Sequence, residues 1–141
     1  MSLRLSAELA GEIRRQGERA YPGECCGILA GQAGEVKDVL RVVPLLNRRT
    51  DDPHRYLIGP EDLRRVEAEV RHDGLEVLGY YHSHPDHPAV PSAFDMEHAW
   101  PWYSYIIVQV NRGSAAELAS WVLEDDRSSM QAESVSVLTE V

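Results

Sequence analysis

The stretch Leu75-Glu-Val-Leu-Gly-Tyr-Tyr-His-Ser-His-Pro-Asp-His-Pro-Ala-Val-Pro-Ser-Ala-Phe-Asp95 organises the whole chain. Its first part, Leu75 to His82, follows the breaker Gly74 and is rich in aliphatic and aromatic residues, which predicts a β-strand. Successive strand side chains point to opposite faces, so His82 and His84 share a face while Ser83 turns away. Pro85 ends the strand and turns the chain. After a loop, Pro91-Ser-Ala-Phe-Asp95 predicts the start of a short helix, with Ser92 and Asp95 on one face because they are three residues apart. If that helix start packs over the strand end, Asp95 joins His82 and His84 as a set of two imidazoles and one carboxylate. Three protein ligands with a fourth position left to solvent describe a catalytic zinc site, whereas structural zinc sites are closed by four. Ser92 and Asp95 also make a capping-box pattern, and the two uses coexist, since a capped helix start is a rigid mount for a ligand. A histidine pair so spaced turns up in about a quarter of shuffled chains of this composition, but adding Pro85, Ser92 and Asp95 lowers the chance to the order of 10⁻⁴.

Working outward, Ser6 to Tyr21 carries Leu5, Leu9, Ile13 and Ala20 at helical spacing, with Ser6 as N-cap and Pro22-Gly23 as the stop. The apolar run Cys25 to Ala30 predicts a buried strand turning at Gly31 to Gly34. Val36 to Leu46, rich in β-branched residues, predicts a second. A polar loop, Asn47 to Pro60, leads into a helix over Glu61 to His72 that Pro60 opens and Gly74 closes. Further strands are expected at Tyr103 to Val110, Ala116 to Leu123 and Val135 to Leu138. Helices interleaved with strands predict an α/β sandwich: one mixed β-sheet flanked by helices. Single domains typically run ~100–150 residues, and no repeat, low-complexity tract or Pro/Gly/Ser-rich linker divides these 141 residues. One domain over 1–141 is therefore expected.

The formal net charge is −9, and among the 14 basic residues only Lys37 is a lysine. Such a surface repels phosphates and argues against nucleic acid as a partner. It suits either a basic partner or a high-salt cytoplasm. No apolar run approaches the ~20 residues of a membrane-spanning helix, and the first ten residues lack a secretory apolar core, so a cytoplasmic location without membrane contact is expected. The only cysteines, Cys25 and Cys26, are adjacent. A bond between them would staple no loop, which excludes a disulfide framework. They read as small buried residues opening a strand in preference to a reactive thiol or metal ligand. His54, His72, His87 and His98 are expected on the surface. Trp100, Trp102 and Tyr103 are expected to cap the core near the site or to wall it. Arg48, Arg49 and Arg55 form a local basic group on an acidic chain, either solvated or guiding an acidic partner.

The arrangement His82-x-His84-x7-Ser92-x2-Asp95 resembles the motif of the JAMM (MPN-plus) metalloproteases, without a gap. That family places a glutamate at the start of a strand after its first helix, and Glu24, in Tyr21-Pro-Gly-Glu-Cys-Cys-Gly-Ile-Leu29, stands there. The likeness extends to Asn47, Tyr56 and Pro60, and the compact length is similar to the small bacterial members. It implies the MPN/JAB fold, a cytidine-deaminase-like sandwich. It further implies that His82, His84 and Asp95 hold one Zn²⁺ per chain, with Glu24 as general base and acid and Ser92 as hydrogen-bond donor to the oxyanion. The implied reaction is hydrolysis of an amide bond at the Gly-Gly tail of a ubiquitin-like or sulfur-carrier protein, with cysteine among the amino acids released. An extended tail would then add beside a sheet edge near the site. The alternatives are a metal-free interaction scaffold, whose family members lack one or more ligands, and a zinc amidase for an unrelated small substrate. The sequence sets no oligomeric state.

Overall fold

Buried on both faces, the run Ile28-Leu-Ala30 explains how the sheet is layered. Leu29 packs into one apolar cluster with Leu3, Leu5, Val39, Tyr81, Ile106 and Val108 and with Ala10 and Ile13 of the first helix. Its neighbours Ile28 and Ala30 face the other way, against Val66 and Val70 of the second helix. A central strand between two helix-covered faces must be apolar throughout, which is what the sequence supplies.

The computed structural model describes residues 2–49 and 56–139. In chain order these form β1 (Ser2–Ser6), α1 (Ala7–Ala20), β2 (Cys26–Ala33), β3 (Val36–Leu45), α2 (Pro60–His72), β4 (Glu76–Pro85), α3 (Ala93–His98), β5 (Ser104–Asn111), β6 (Ser114–Leu123) and β7 (Met130–Leu138). The strand order is β1-β3-β2-β4-β5-β6-β7, and β7 returns to β1 so that the sheet closes into a barrel. β1 runs parallel to both β3 and β7, and β4 runs parallel to β5. The remaining pairings are antiparallel.

The expected mixed sheet with flanking helices is present, and closure is the addition. It depends on β1, which the sequence pattern leaves unassigned apart from Leu5, counted there in the apolar stripe of the first helix. Leu3 and Leu5 alternate with half-buried residues in strand fashion, so Leu5 belongs to β1 and not to the helical stripe. Ser6 does cap α1, its hydroxyl accepting the Leu9 amide at 3.1 Å. Closure gives each of the seven described strands a neighbour on both sides, but β1 covers β3 only from Val36 to Asp38, so the outer edge of β3 beyond Asp38 has no strand partner among the described residues. α2 begins on Pro60 and ends before Gly74, whose φ of 77° is the left-handed conformation glycine tolerates. Gly27 matters for a different reason: a Cβ there would run into the Tyr81 ring, which lies over β2. Among the described residues no helix is long and apolar enough to cross a membrane.

Candidate metal centre

β4 delivers both histidines. Its pairing with β2 sets Cys26 opposite His82, and its pairing with β5 sets His82 opposite Ile107 and His84 opposite Gln109. Flanked by strands on both sides, this stretch is rigid. Ser83 faces the other way, as alternation requires, and its hydroxyl accepts the Cys25 amide at 2.9 Å. α3 then brings Asp95 over the strand end. Ser92 caps it with a full capping box, its Oγ accepting the Asp95 amide at 3.0 Å while the Ser92 amide donates to Asp95 Oδ2 at 2.9 Å. The local propensity that starts the helix also orients the carboxylate.

His82 Nε2 lies 3.2 Å from His84 Nε2 and 3.2 Å from Asp95 Oδ1, and His84 Nε2 lies 3.0 Å from Asp95 Oδ2. All three side chains are at most 9% exposed. The His84 Nδ1 stands 2.9 Å from the Pro88 carbonyl oxygen, which can only accept, so Nδ1 carries a hydrogen. In the neutral ring that leaves the Nε2 lone pair facing Asp95, acceptor toward acceptor, unless a proton or cation lies between them. Ligands of a tetrahedral ion held at about 2.0–2.2 Å stand roughly 3.3 Å apart, close to all three separations. The donor set and its spacing therefore fit a metal ion. Among the described residues this is the group of His, Cys, Asp and Glu side chains that converges in this way.

Electrostatics agree. Burial raises the Asp95 carboxyl, but hydrogen bonds from His82 and His84 outweigh it and hold the group well below the usual carboxylate range. Burial pulls the His82 imidazole down and keeps it neutral, despite Asp95. For His84, burial is again the largest influence and acts downward, yet hydrogen bonds to Asp95 and the Pro88 carbonyl together bring it above its ordinary value.

Glu24 is only 6% exposed. The Ser83 amide donates to the Cys25 carbonyl at 3.2 Å, carrying the β2–β4 ladder one step past Cys26 and His82. The next step sets Glu24 level with His84, whose proton affinity its carboxylate raises. Asn47 secures this corner. Its Nδ2 donates to the Glu24 carbonyl at 3.2 Å and its Oδ1 accepts the amides of Arg49 and Leu57, both at 2.9 Å. Beyond it, the Tyr56 ring stacks on His82 with centroids 4.5 Å apart. Sequence alone assigns neither residue a role; its signal is that the family likeness extends to Asn47 and Tyr56 in this loop.

Other expectations fare variously. His72, His87 and His98 are exposed, as expected, whereas His54 and Arg55 lie outside the described residues. Cys25 and Cys26 are free thiols, and Cys26 sits beside His82 in register without joining the group. Burial pushes its thiol up to about 12, which makes it inert near neutral pH. The Arg48 side chain is half-exposed, and its guanidinium bonds Asp62 of α2 twice, at 2.9 and 3.2 Å. Trp100 is exposed and walls a cavity of about 220 Å³ with Tyr56, Leu63, Tyr80, Phe94 and Tyr105, directly beside the histidines. Trp102 leaves the site and lies over Lys37 instead.

Residues 6–124 match the family described as prokaryotic homologs of the JAB domain. The chain is 37% identical over 87 residues to the desampylase of Haloferax volcanii, covering 61% of this chain and 62% of that protein. It therefore spans just under two thirds of that relative's length. It is 30% identical over 122 residues to the CysO-cysteine peptidase of Mycobacterium tuberculosis, covering 86% of this chain and 82% of the peptidase. The solution structure of DSY2949 from Desulfitobacterium hafniense superposes with a TM-score of 0.85 at 29% identity, over 99% of this chain and 94% of that one.

Proposed function

The chain belongs to the prokaryotic homologs of the JAB domain, and from that premise we propose that it is a zinc-dependent isopeptidase or peptidase, one domain over 1–141. Its substrate is an amide bond at the C-terminal Gly-Gly tail of a ubiquitin-like or sulfur-carrier protein. The observation that carries this reading is the convergence of His82, His84 and Asp95, with the Glu24 carboxylate buried beside them. The substrate class is supported by relatives named for cleaving such conjugates, a desampylase and a CysO-cysteine peptidase, the second of which favours release of cysteine.

His82 and His84 through Nε2, and Asp95 through its carboxylate, would hold one zinc ion. Zinc supplies Lewis acidity there, polarising a carbonyl and bringing the pKa of water toward about 7. The Glu24 carboxylate takes a proton from the attacking water and returns it to the nitrogen of the leaving amine. Ser92 Oγ already accepts the Asp95 amide, so its own hydrogen is left to donate to the carbonyl oxygen as negative charge develops there. Burial of all three ligands keeps bulk water from competing with these contacts.

The test is paired. Wild-type protein is expected to bind close to one zinc and to cut a carrier–cysteine or carrier–lysine amide. Glu24→Gln should keep the metal and lose about 10²–10⁴ in rate, the usual contribution of a positioned acid–base group. Metal binding measured by elemental analysis and hydrolysis followed by mass spectrometry check both halves. Undiminished hydrolysis by Glu24→Gln would remove the assigned base.

A further inference from the structure

The two histidines are held by different means. His84 has a neighbour at each ring nitrogen: Nδ1 donates to the Pro88 carbonyl and Nε2 stands 3.0 Å from Asp95 Oδ2. His82 Nδ1 is buried with no hydrogen-bond partner among the described residues. Metal-binding histidines almost always fix their orientation by donating from the second nitrogen. A ring without that bond can turn about Cβ–Cγ, exchanging Nε2 for a carbon and withdrawing it from the group.

What lies against His82 instead is an aromatic face. The Tyr56 ring is stacked on it, with centroids 4.5 Å apart and planes within 22°. Rotating the imidazole would drive its edge into that face, so stacking opposes the same motion a hydrogen bond would oppose. Tyr56 is itself well anchored. Its neighbour Leu57 exchanges backbone contacts with Asn47 and Arg48, and Arg48 is clamped to Asp62 of α2. Asn47 also holds the Glu24 carbonyl, so the base and the stacking ring hang from one short segment.

We propose that Tyr56 is a positioning residue for His82: its ring face, in place of a hydrogen bond at Nδ1, fixes the rotation that aims Nε2 at Asp95 and His84. This rests on the metal-site reading given above, but it concerns how one ligand is held and not which reaction follows. Loss of the ring is expected to weaken metal binding, and loss of the hydroxyl alone is not.

The experiment measures zinc affinity by chelator competition for wild type, Tyr56→Phe and Tyr56→Leu, with far-UV circular dichroism to confirm folding. Outer partners of metal ligands typically contribute ~10–100-fold in affinity. Tyr56→Leu should fall within that range and alter the visible spectrum of the cobalt-substituted protein, while Tyr56→Phe stays within about threefold of wild type. Equal affinity for Tyr56→Leu and wild type, or an equal loss in both variants, overturns the proposal. If Tyr56→Leu does not fold, the side-chain nitrogen NMR spectrum of the wild type decides. A His82 Nδ1–H exchanging as freely as an unbonded one, beside a protected His84 Nδ1–H, supports the proposal, and a protected His82 Nδ1–H overturns it. Absence of zinc binding by the wild type would instead end the metal reading, and the metal-free NMR spectrum would still judge how the ring is held.

Discussion

Two clusters of buried polar side chains sit on opposite faces of the same sheet, and they are built on opposite plans. On the α2 and α3 face, His82, His84 and Asp95 bring acceptor atoms together. On the α1 face, the Lys37 ammonium donates to the Ser104 hydroxyl at 3.0 Å and to the Trp102 carbonyl, and stands 3.9 Å from the Glu133 carboxylate. Glu133 in turn accepts from the Ser120 hydroxyl at 2.8 Å. The Trp102 ring lies over the ammonium, 4.5 Å from Nζ to its centroid, and Trp102 has a φ of 77°, a conformation that strains a bulky residue. The second cluster contains its own cation, although Glu133 Oε2, 3.9 Å from the ammonium, has no hydrogen-bond partner among the described residues. The first joins two imidazoles to one carboxylate, a donor set that could hold a metal ion. Both clusters are buried and polar; they differ in that only the second has a lysine ammonium among its own side chains.

That contrast assigns each cluster a different response to mutation. Lys37→Met leaves the Glu133 carboxylate buried with no counter-charge, which should lower stability by about 3–5 kcal/mol in denaturant unfolding. The folded fraction should still bind zinc as wild type does. A loss below about 1 kcal/mol would show that the pair is not the structural unit described.

His84→Ala should do the reverse. It abolishes tight zinc binding yet costs metal-free protein only ~1–2 kcal/mol, since Asp95 keeps His82 and the Ser92 amide as partners. Cooperative unfolding on addition of a chelator would mean that the ion is part of the core, and the comparison would fail.

The smallest effect is expected from pH. The Arg4, Arg48 and Arg41 guanidinium groups hold Asp38, Asp62 and Asp73 below their ordinary values, and the Arg112 amide does so for Asp86. Because the folded values are depressed, the unfolded chain takes up protons first as pH falls. Stability of the metal-free protein should therefore be full above about pH 5 and decline through the ordinary carboxylate range near ~4. A melting temperature that stays level or rises between pH 5 and 3 would contradict these contacts.

Legibility in the sequence tracked distance along the chain. The convergence of His82, His84 and Asp95 was readable because its geometry is local: strand alternation places His82 beside His84, and a capping box three residues wide orients Asp95. The helix starts at Ser6 and Pro60 were readable for the same reason. β1 was not, because a five-residue strand becomes one only by pairing with β3 and with β7, and its Leu5 also fits a helical stripe. Barrel closure was hidden by the same omission. The Lys37–Glu133 pair joins strands from opposite ends of the chain. Tyr56 on His82 depends on how a loop folds back, guided by Asn47, which no periodicity records.

Anomalous diffraction at the zinc edge from crystals of the loaded protein tests the central claim most directly. The expected result is one strong peak about 2.0–2.2 Å from His82 Nε2, His84 Nε2 and an Asp95 carboxylate oxygen. A peak bound elsewhere, or none at these three side chains, would contradict it.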